Sequence, residues 1–210
     1  MSEMPGQHLY LAAGWTLWCV LHSALISRRF MRWMTRWPAR AASWHRLMYV
    51  LFSVLSLAPL LWYQRGIETV MLWQWAWPWE ALRWTGLAVA LGVVFAASRV
   101  YDNAVFFGVR QIRERRLEPA LGVGDFRATG ILGRVRHPYY SAGVLFLLCW
   151  GSGDSATAVM QGCGILYLLI GTVLEERKLL SAFGDRYRAY QQRVPMFIPR
   201  LRQRGLDAGE

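Results

Sequence analysis

The sequence predicts an all-α protein, a polytopic transmembrane helical bundle of about five spans. Its N-terminus is expected outside, its C-terminus in the cytoplasm, with a cytoplasmic amphipathic helix at the C-terminal end. Three observations predict this. Hydrophobic residues make up 55% of the 210 and charged residues 18%, against roughly 45–50% and about 25% in soluble domains. The apolar residues gather into stretches approaching the ~20 that a bilayer core requires. And 22 of the 24 Lys and Arg residues fall in alternate connections between those stretches, the bias that orients membrane proteins.

The first span runs from His8 to about Ser27. No Lys or Arg precedes it, so it lacks the basic region of a cleaved signal and is expected to remain as a span. The second runs from Leu47 to Tyr63, and the third from Trp84 to about Ala97, with a possible continuation through Tyr101 to Phe107. The fourth, Tyr139 to Trp150, is short. The Gly151-Ser152-Gly153 turn joins it to the fifth, Thr157 to Leu174, as a tight helical hairpin. Six basic residues lie between spans one and two, eight between three and four, and eight after span five, whereas Arg65 and Arg83 alone lie on the other side. An odd number of spans keeps that alternation. On this reading one membrane domain fills 1–210. Spans one to three occupy 1–107, a basic cytoplasmic connection 108–138, and the hairpin with its tail 139–199.

The net charge of +11 raises nucleic acid as a partner, but its placement in alternate connections assigns it to topology and to anionic lipid. No nucleic acid and no protein partner is expected. Trp73, Trp75, Trp77 and Trp79 form a run suited to anchoring at the interface. Cys19, Cys149 and Cys163 lie in apolar stretches without a CxxC pair, so neither a metal site nor a disulfide framework is expected.

Chemistry-bearing residues gather in two places. The first is Arg136-His137-Pro138-Tyr139-Tyr140, at the mouth of span four. Proline suits the first turn of a helix, whose N–H groups attract carboxylate or phosphate. Ser141, Ala142 and Gly143 follow, small enough for close approach. The second is Glu175-Glu176-Arg177-Lys178, at the end of span five, where two acids oppose the helix dipole. Either the helix simply continues into water, or one acid holds a cation. If spans four and five form a hairpin, an anion-seeking helix start faces an acidic pair, an arrangement suited to a zwitterion. Beyond it, Leu179, Phe183, Tyr187, Tyr190 and Val194 form an amphipathic stripe. Gly184 interrupts the stripe and Pro195 ends it. The segment Val194–Pro199 is then either a lid over the cytoplasmic mouth or a membrane-surface contact.

Arg136-His137-Pro138-x-Tyr140 resembles the R-H-P-x-Y motif of integral-membrane methyltransferases. Glu175-Glu176, Leu179, Phe183-Gly184, Tyr187, Tyr190 and Val194-Pro195 resemble the same family's C-terminal pattern, and together the match covers roughly residues 129–199. The family includes isoprenylcysteine carboxyl methyltransferases and is related to phospholipid methyltransferases. Phe106-Phe107-Gly108-Val109-Arg110-Gln111 is similar to a stretch of bacterial methanethiol S-methyltransferases, and His22-Ser23 and Arg46-Leu47-Met48-Tyr49 more loosely so.

The resemblance implies S-adenosyl-L-methionine as methyl donor, bound near the cytoplasmic ends of the last two spans of a multi-pass protein of the cell inner membrane. It implies that His137, Pro138 and Tyr140 contact the cofactor, and that Glu175 or Glu176 holds its amino group. Arg136 would face the carboxylate, with Gly130 and Gly143 shaping the pocket. Arg110, Gln111 and Arg177 are the candidates for the chemistry, a nearby arginine favouring the thiolate of a thiol acceptor. The acceptor is a small thiol or a lipophilic molecule, with a prenylated cysteine carboxylate or a lipid amine as alternatives. A rival reading is a non-catalytic or haem-binding membrane protein linked to nitric oxide metabolism, with His8, His22, His45 or His137 as axial ligands.

Overall fold

The computed structural model describes residues 4–115 and 129–199. Among the described residues the regular elements are helical. They are α1 (Met4–Leu25), α2 (Arg28–Met34), α3 (Ala39–Ala42), α4 (His45–Leu55), α5 (Leu57–Gly66), α6 (Trp79–Ser98), α7 (Asn103–Phe106), α8 (Val109–Glu114), a 3-10 turn (Gly130–Gly133), α9 (Pro138–Cys149) and α10 (Ser155–Arg193). The all-α expectation holds. Three stretches are long and apolar enough to cross a membrane: Ala39–Gly66, Trp79–Ser98 and Ser155–Arg193. Leu91 and Phe95 on α6 are 65% and 66% exposed. An apolar face that open would promote association in water and is stable against lipid.

The chain divides into two compact units. The first comprises the described residues within 1–76, 102–124 and 151–164, the second those within 77–101, 125–150 and 165–210. In the first unit α1 runs antiparallel to α4 and α5. Trp18 donates to Ser56 (2.9 Å) and Tyr63 to the Gln7 carbonyl (3.3 Å) at successive levels. At the opposite end of the pair the His45 ring reaches the Leu25 carbonyl (2.9 Å). Pro59 has no N–H to return to Leu55, and the helix breaks at Ser56 into α4 and α5. The basic segment after α1, read from sequence as a connection, contains α2 and α3, and α2 is capped by the Ser27 side chain on the Phe30 N–H. The possible continuation of span three to Phe107 is not realised. α6 stops at Ser98, and Asp102 accepts from the Ala104 and Val105 N–H groups to start α7.

In the second unit α9 runs antiparallel to α6 and to α10. The Arg83 side chain donates to the Cys149 carbonyl at one end (3.1 Å), while Tyr101 and Tyr139 lie ring to ring at the other (5.1 Å). Gly143 and Gly171 allow α9 and α10 to approach. A Cβ added at Gly143 would sit 3.0 Å from Leu168, and one at Gly171 3.1 Å from the Tyr140 ring. α9 has 12 residues, about 18 Å at 1.5 Å per residue. The hairpin turn is as read from sequence: Gly151 and Gly153 take positive φ, and Asp154 accepts from the Thr157 N–H (2.7 Å) to cap α10.

α10 is not one straight rod. Gly184 has φ 53° and ψ −128°, a backbone conformation open essentially to glycine. There the helix folds back, burying Tyr187, Tyr190 and Val194 against Leu179, Leu180 and Phe183. Close packing is not what selects this glycine, because an added Cβ would meet nothing within 4 Å.

Candidate functional site

The fold-back at Gly184 builds the site. Tyr187 and Gln191 follow Glu176 by 11 and 15 residues, or about 16 and 22 Å along a straight helix. Instead the Tyr187 hydroxyl donates to Glu176 Oε1 at 2.6 Å, and the Gln191 amide donates to Oε2. From the start of α9, His137 Nε2 lies 2.6 Å from Oε1, and Arg136 spans both oxygens through Nε and Nη2 at 3.1 and 3.2 Å. Glu176 is 6% exposed and His137 4%. Burial opposes ionisation of Glu176. Hydrogen bonds from Tyr187, His137 and Gln191, with the Arg136 charge, outweigh it and hold the carboxyl below its ordinary range. Burial and the Glu176 carboxylate raise the Tyr187 hydroxyl, and burial pushes Tyr190 up to about 12. Both phenols therefore stay protonated and act as donors.

The tail is stitched down behind this cluster. Arg136 Nη1 donates to the Gln191 and Val194 carbonyls, both at 2.9 Å. The Arg136 and His137 N–H groups donate to Pro195 and Met196 (2.9 and 3.2 Å), and Ser141 donates to the Phe197 carbonyl (2.7 Å). Val194–Pro199 thus lies over the start of α9, and part of the N–H edge that the sequence offers to an anion is taken by the chain itself. Pro138 occupies the first turn of α9 as expected. Tyr140 meets the His137 ring edge-on at 5.6 Å. Gly130 has φ +59° and opens the 3-10 turn against Val100.

The two clusters read from sequence therefore meet, but the two acids differ. Glu176 is saturated. Glu175, one residue earlier, is half-buried, and among the described residues no donor is bonded to its carboxylate. Its charge is felt by Tyr101, whose hydroxyl is raised by burial first and by Glu175 next. Tyr101 in turn is ring to ring with Tyr139. A half-buried carboxylate without a bonded donor, within electrostatic reach of the Tyr101 hydroxyl, fits a cationic group. Arg177 is exposed.

In the first unit, Arg110 pairs with Asp102 (2.6 Å) and Glu114 (3.3 Å). It borders an open cleft of about 240 Å³ shared with Arg113. Gln111 is 1% exposed and holds the Val105 carbonyl (3.0 Å), bracing α7 to α8. The histidines are engaged: His8 with Ser155, His22 with Ser53 and Tyr49, His45 with the Leu25 carbonyl, and His137 with Glu176. That disfavours axial haem ligation. Among the described residues no group of three or more His, Cys, Asp and Glu residues is placed to hold a metal ion.

The chain is 33% identical to the methanethiol S-methyltransferase of Pseudomonas deceptionensis over 199 residues, which are 90% of this chain and 71% of that protein. This chain belongs to the methanethiol S-methyltransferase family. It is 32% identical to methanethiol S-methyltransferase 1 of Bradyrhizobium diazoefficiens over 187 residues, covering 87% of this chain and 64% of the relative. It is likewise 32% identical to the methanethiol S-methyltransferase of Mycobacterium tuberculosis over 193 residues, covering 87% and 74%. The chain spans about two-thirds of the length of these relatives. No family model matches it, and no solved structure does. Membership agrees with the resemblance carried by Phe106–Gln111.

Sequence reasoning missed Tyr187 and Gln191 as partners of Glu176. The stripe marked Tyr187 as packing, and a straight helix carries Gln191 away. Gly184 was the available signal.

Proposed function

We propose that this protein is a membrane methyltransferase. It transfers the methyl group of S-adenosyl-L-methionine to a small thiol, methanethiol or a close analogue, at the cytoplasmic leaflet of the cell inner membrane. Family membership supports the thiol over a prenylated cysteine or a lipid amine. The observation that carries the cofactor assignment is the contrast between the two acids, Glu176 spent on its own chain and Glu175 without a bonded donor.

In this reading Glu175 neutralises the cofactor's ammonium or sulfonium charge, with Tyr101 and Tyr139 offering ring faces to it. Tyr140, Pro138 and Gly130 line the same end of the unit. Arg136, His137 and Glu176 act as the frame that fixes this wall, and Gly143 sets the spacing of α9 from α10. Arg177 supplies an exposed positive charge. Arg110 and Gln111 support the α7–α8 turn. The bound cofactor supplies an already activated methyl group, so the protein's task is alignment and exclusion of water. The acceptor enters as its thiolate. S-adenosyl-L-methionine held at Glu175 would supply the methyl group and carry away its own thioether as leaving group, and the acceptor's thiol proton would go to water.

Calorimetric titration of the detergent-solubilised full chain with S-adenosylhomocysteine tests the cofactor, and release of a dialkyl sulfide from an added alkyl thiol tests the reaction. Glu175→Gln should weaken binding about 10-fold or more, the loss of one charge-assisted contact, without lowering the melting temperature. Absence of binding to the wild type would overturn the reading, as would an unaffected Glu175→Gln.

A further inference from the structure

Away from the acidic cluster, the first unit holds a second polar group that the proposed roles leave unused. Arg46 precedes Leu47 on α4. Its Nε donates to the Phe106 carbonyl at 2.7 Å. Its guanidinium carbon lies 5.2 Å from the Tyr49 ring and 5.2 Å from the Phe106 ring. The chain approaches closely here. Gly108, at φ +87°, sits where a Cβ would fall 2.7 Å from the Leu47 nitrogen. The three stretches His22-Ser23, Arg46–Tyr49 and Phe106–Gln111, remote in sequence, are thereby drawn into one cluster.

The charge balance of that cluster is unusual. Arg46 is half-buried, yet among the described residues no carboxylate is within ion-pair distance and its two Nη groups have no hydrogen-bond partner. A partly buried cation without a counter-ion is open to an anionic ligand. The wall beside it is polar and neutral. Ser53 Oγ donates to the Tyr49 carbonyl (2.8 Å), so its lone pairs accept from His22 Nδ1 (3.0 Å). That leaves His22 Nε2 to accept from the Tyr49 hydroxyl (2.5 Å). His22 also stacks on Trp18 at 4.8 Å. A guanidinium edge between aromatic faces suits a soft, polarisable anion better than a strongly hydrated oxyanion, because sulfur makes favourable contacts with rings.

We propose that Arg46, between Tyr49 and Phe106, binds the thiol acceptor as its thiolate. The S–H proton is left to bulk water and the sulfur is held by the free Nη edge. This rests on the methyltransferase reading for the nature of the acceptor, but its test does not need the cofactor.

The wild-type protein is titrated with ethanethiol in two buffers of different ionisation heat at neutral pH. Free alkyl thiols are largely protonated there, so binding as thiolate should release about one proton per thiol bound. Thiocyanate should compete, and phosphate at the same ionic strength should not. Arg46→Gln should lose about 10-fold or more in thiol affinity, Arg46→Lys should recover part of it, and both should bind S-adenosylhomocysteine as the wild type does. Thiol binding without proton release, indifference to thiocyanate, or an undiminished Arg46→Gln would each overturn the proposal. So would competition by phosphate in place of thiocyanate, which would make the site one for a headgroup oxyanion. The wild-type competition decides the matter even if Arg46→Gln fails to fold. Absence of S-adenosylhomocysteine binding by the wild type would instead strike the cofactor reading, whereas thiolate binding at Arg46 is decided by the thiol titration alone.

Discussion

At the scale of single residues, the most consequential distinction is between neighbouring acids. Removing Glu176 leaves Arg136, His137, Tyr187 and Gln191 without their shared acceptor. Glu176→Ala should therefore destabilise the protein by about 3–5 kcal/mol, the cost of orphaning a buried charged partner, seen as a large drop in melting temperature. The pH dependence follows from the sign of its shift. The folded carboxyl lies below its ordinary value of 4.5, so its contribution is fully present above that value and is lost as pH falls through it toward the folded pKa. The acid limb of a melting-temperature profile should be steeper in the wild type than in Glu176→Gln, and parallel profiles would sink this account. The sequence made the pair visible, because acids at a helix end need a reason. It did not say which acid was free. Consecutive residues point about 100° apart, and the facing partners come from Arg136 and from a chain reversal that no periodicity encodes.

At the scale of elements, Gly184 carries more of the site than any helix does. Its backbone angles return Tyr187 and Gln191 to Glu176. Gly184→Ala has room for its methyl but must leave that conformation, at about 1–3 kcal/mol. The expected outcome is a modest loss of stability with a disproportionate gain in proteolysis after Val194, since the tail's bonds to Arg136 and Ser141 depend on the same reversal. An unchanged cleavage pattern would mean that the tail docks independently of the turn. Helix positions were largely legible. Apolar runs mark the long helices, Pro138 marks the start of α9 and the glycines mark the hairpin. The short helices α2 and α3 were not read from the sequence, because at seven and four residues they are too short for a periodic pattern to stand out from a basic connection, although Phe30, Trp33 and Met34 do fall at helical spacing. The stop of α6 at Ser98 was legible to within a residue of Ala97, and what the sequence left open was the continuation to Phe107, which Asp102 ends by capturing two N–H groups for a new helix.

At the scale of the whole molecule, the remaining question is how the chain lies in the bilayer. Within each unit the antiparallel packing keeps the basic connections at one end. His45 meets Leu25 in the first, and Tyr101 meets Tyr139 beside Arg136 in the second. That is the geometry the distribution of Arg and Lys requires, since cytoplasmic connections collect positive charge. α1 is long enough to cross, with 22 residues, or about 33 Å. α9 at about 18 Å reaches only partway unless the bilayer thins or the polar ends of the hairpin extend into the headgroups. We therefore expect the Trp-rich connection outside and the α7–α8 segment inside. In a background with Cys19, Cys149 and Cys163 replaced by alanine, Gln74→Cys should react with a membrane-impermeant maleimide in intact spheroplasts. Arg113→Cys should react only after permeabilisation. If Arg113→Cys labels first, the orientation is inverted and the cofactor end would face away from the cytoplasmic supply of S-adenosyl-L-methionine. If both label equally before permeabilisation, α6 does not separate the two compartments, and the five-span alternation fails with it.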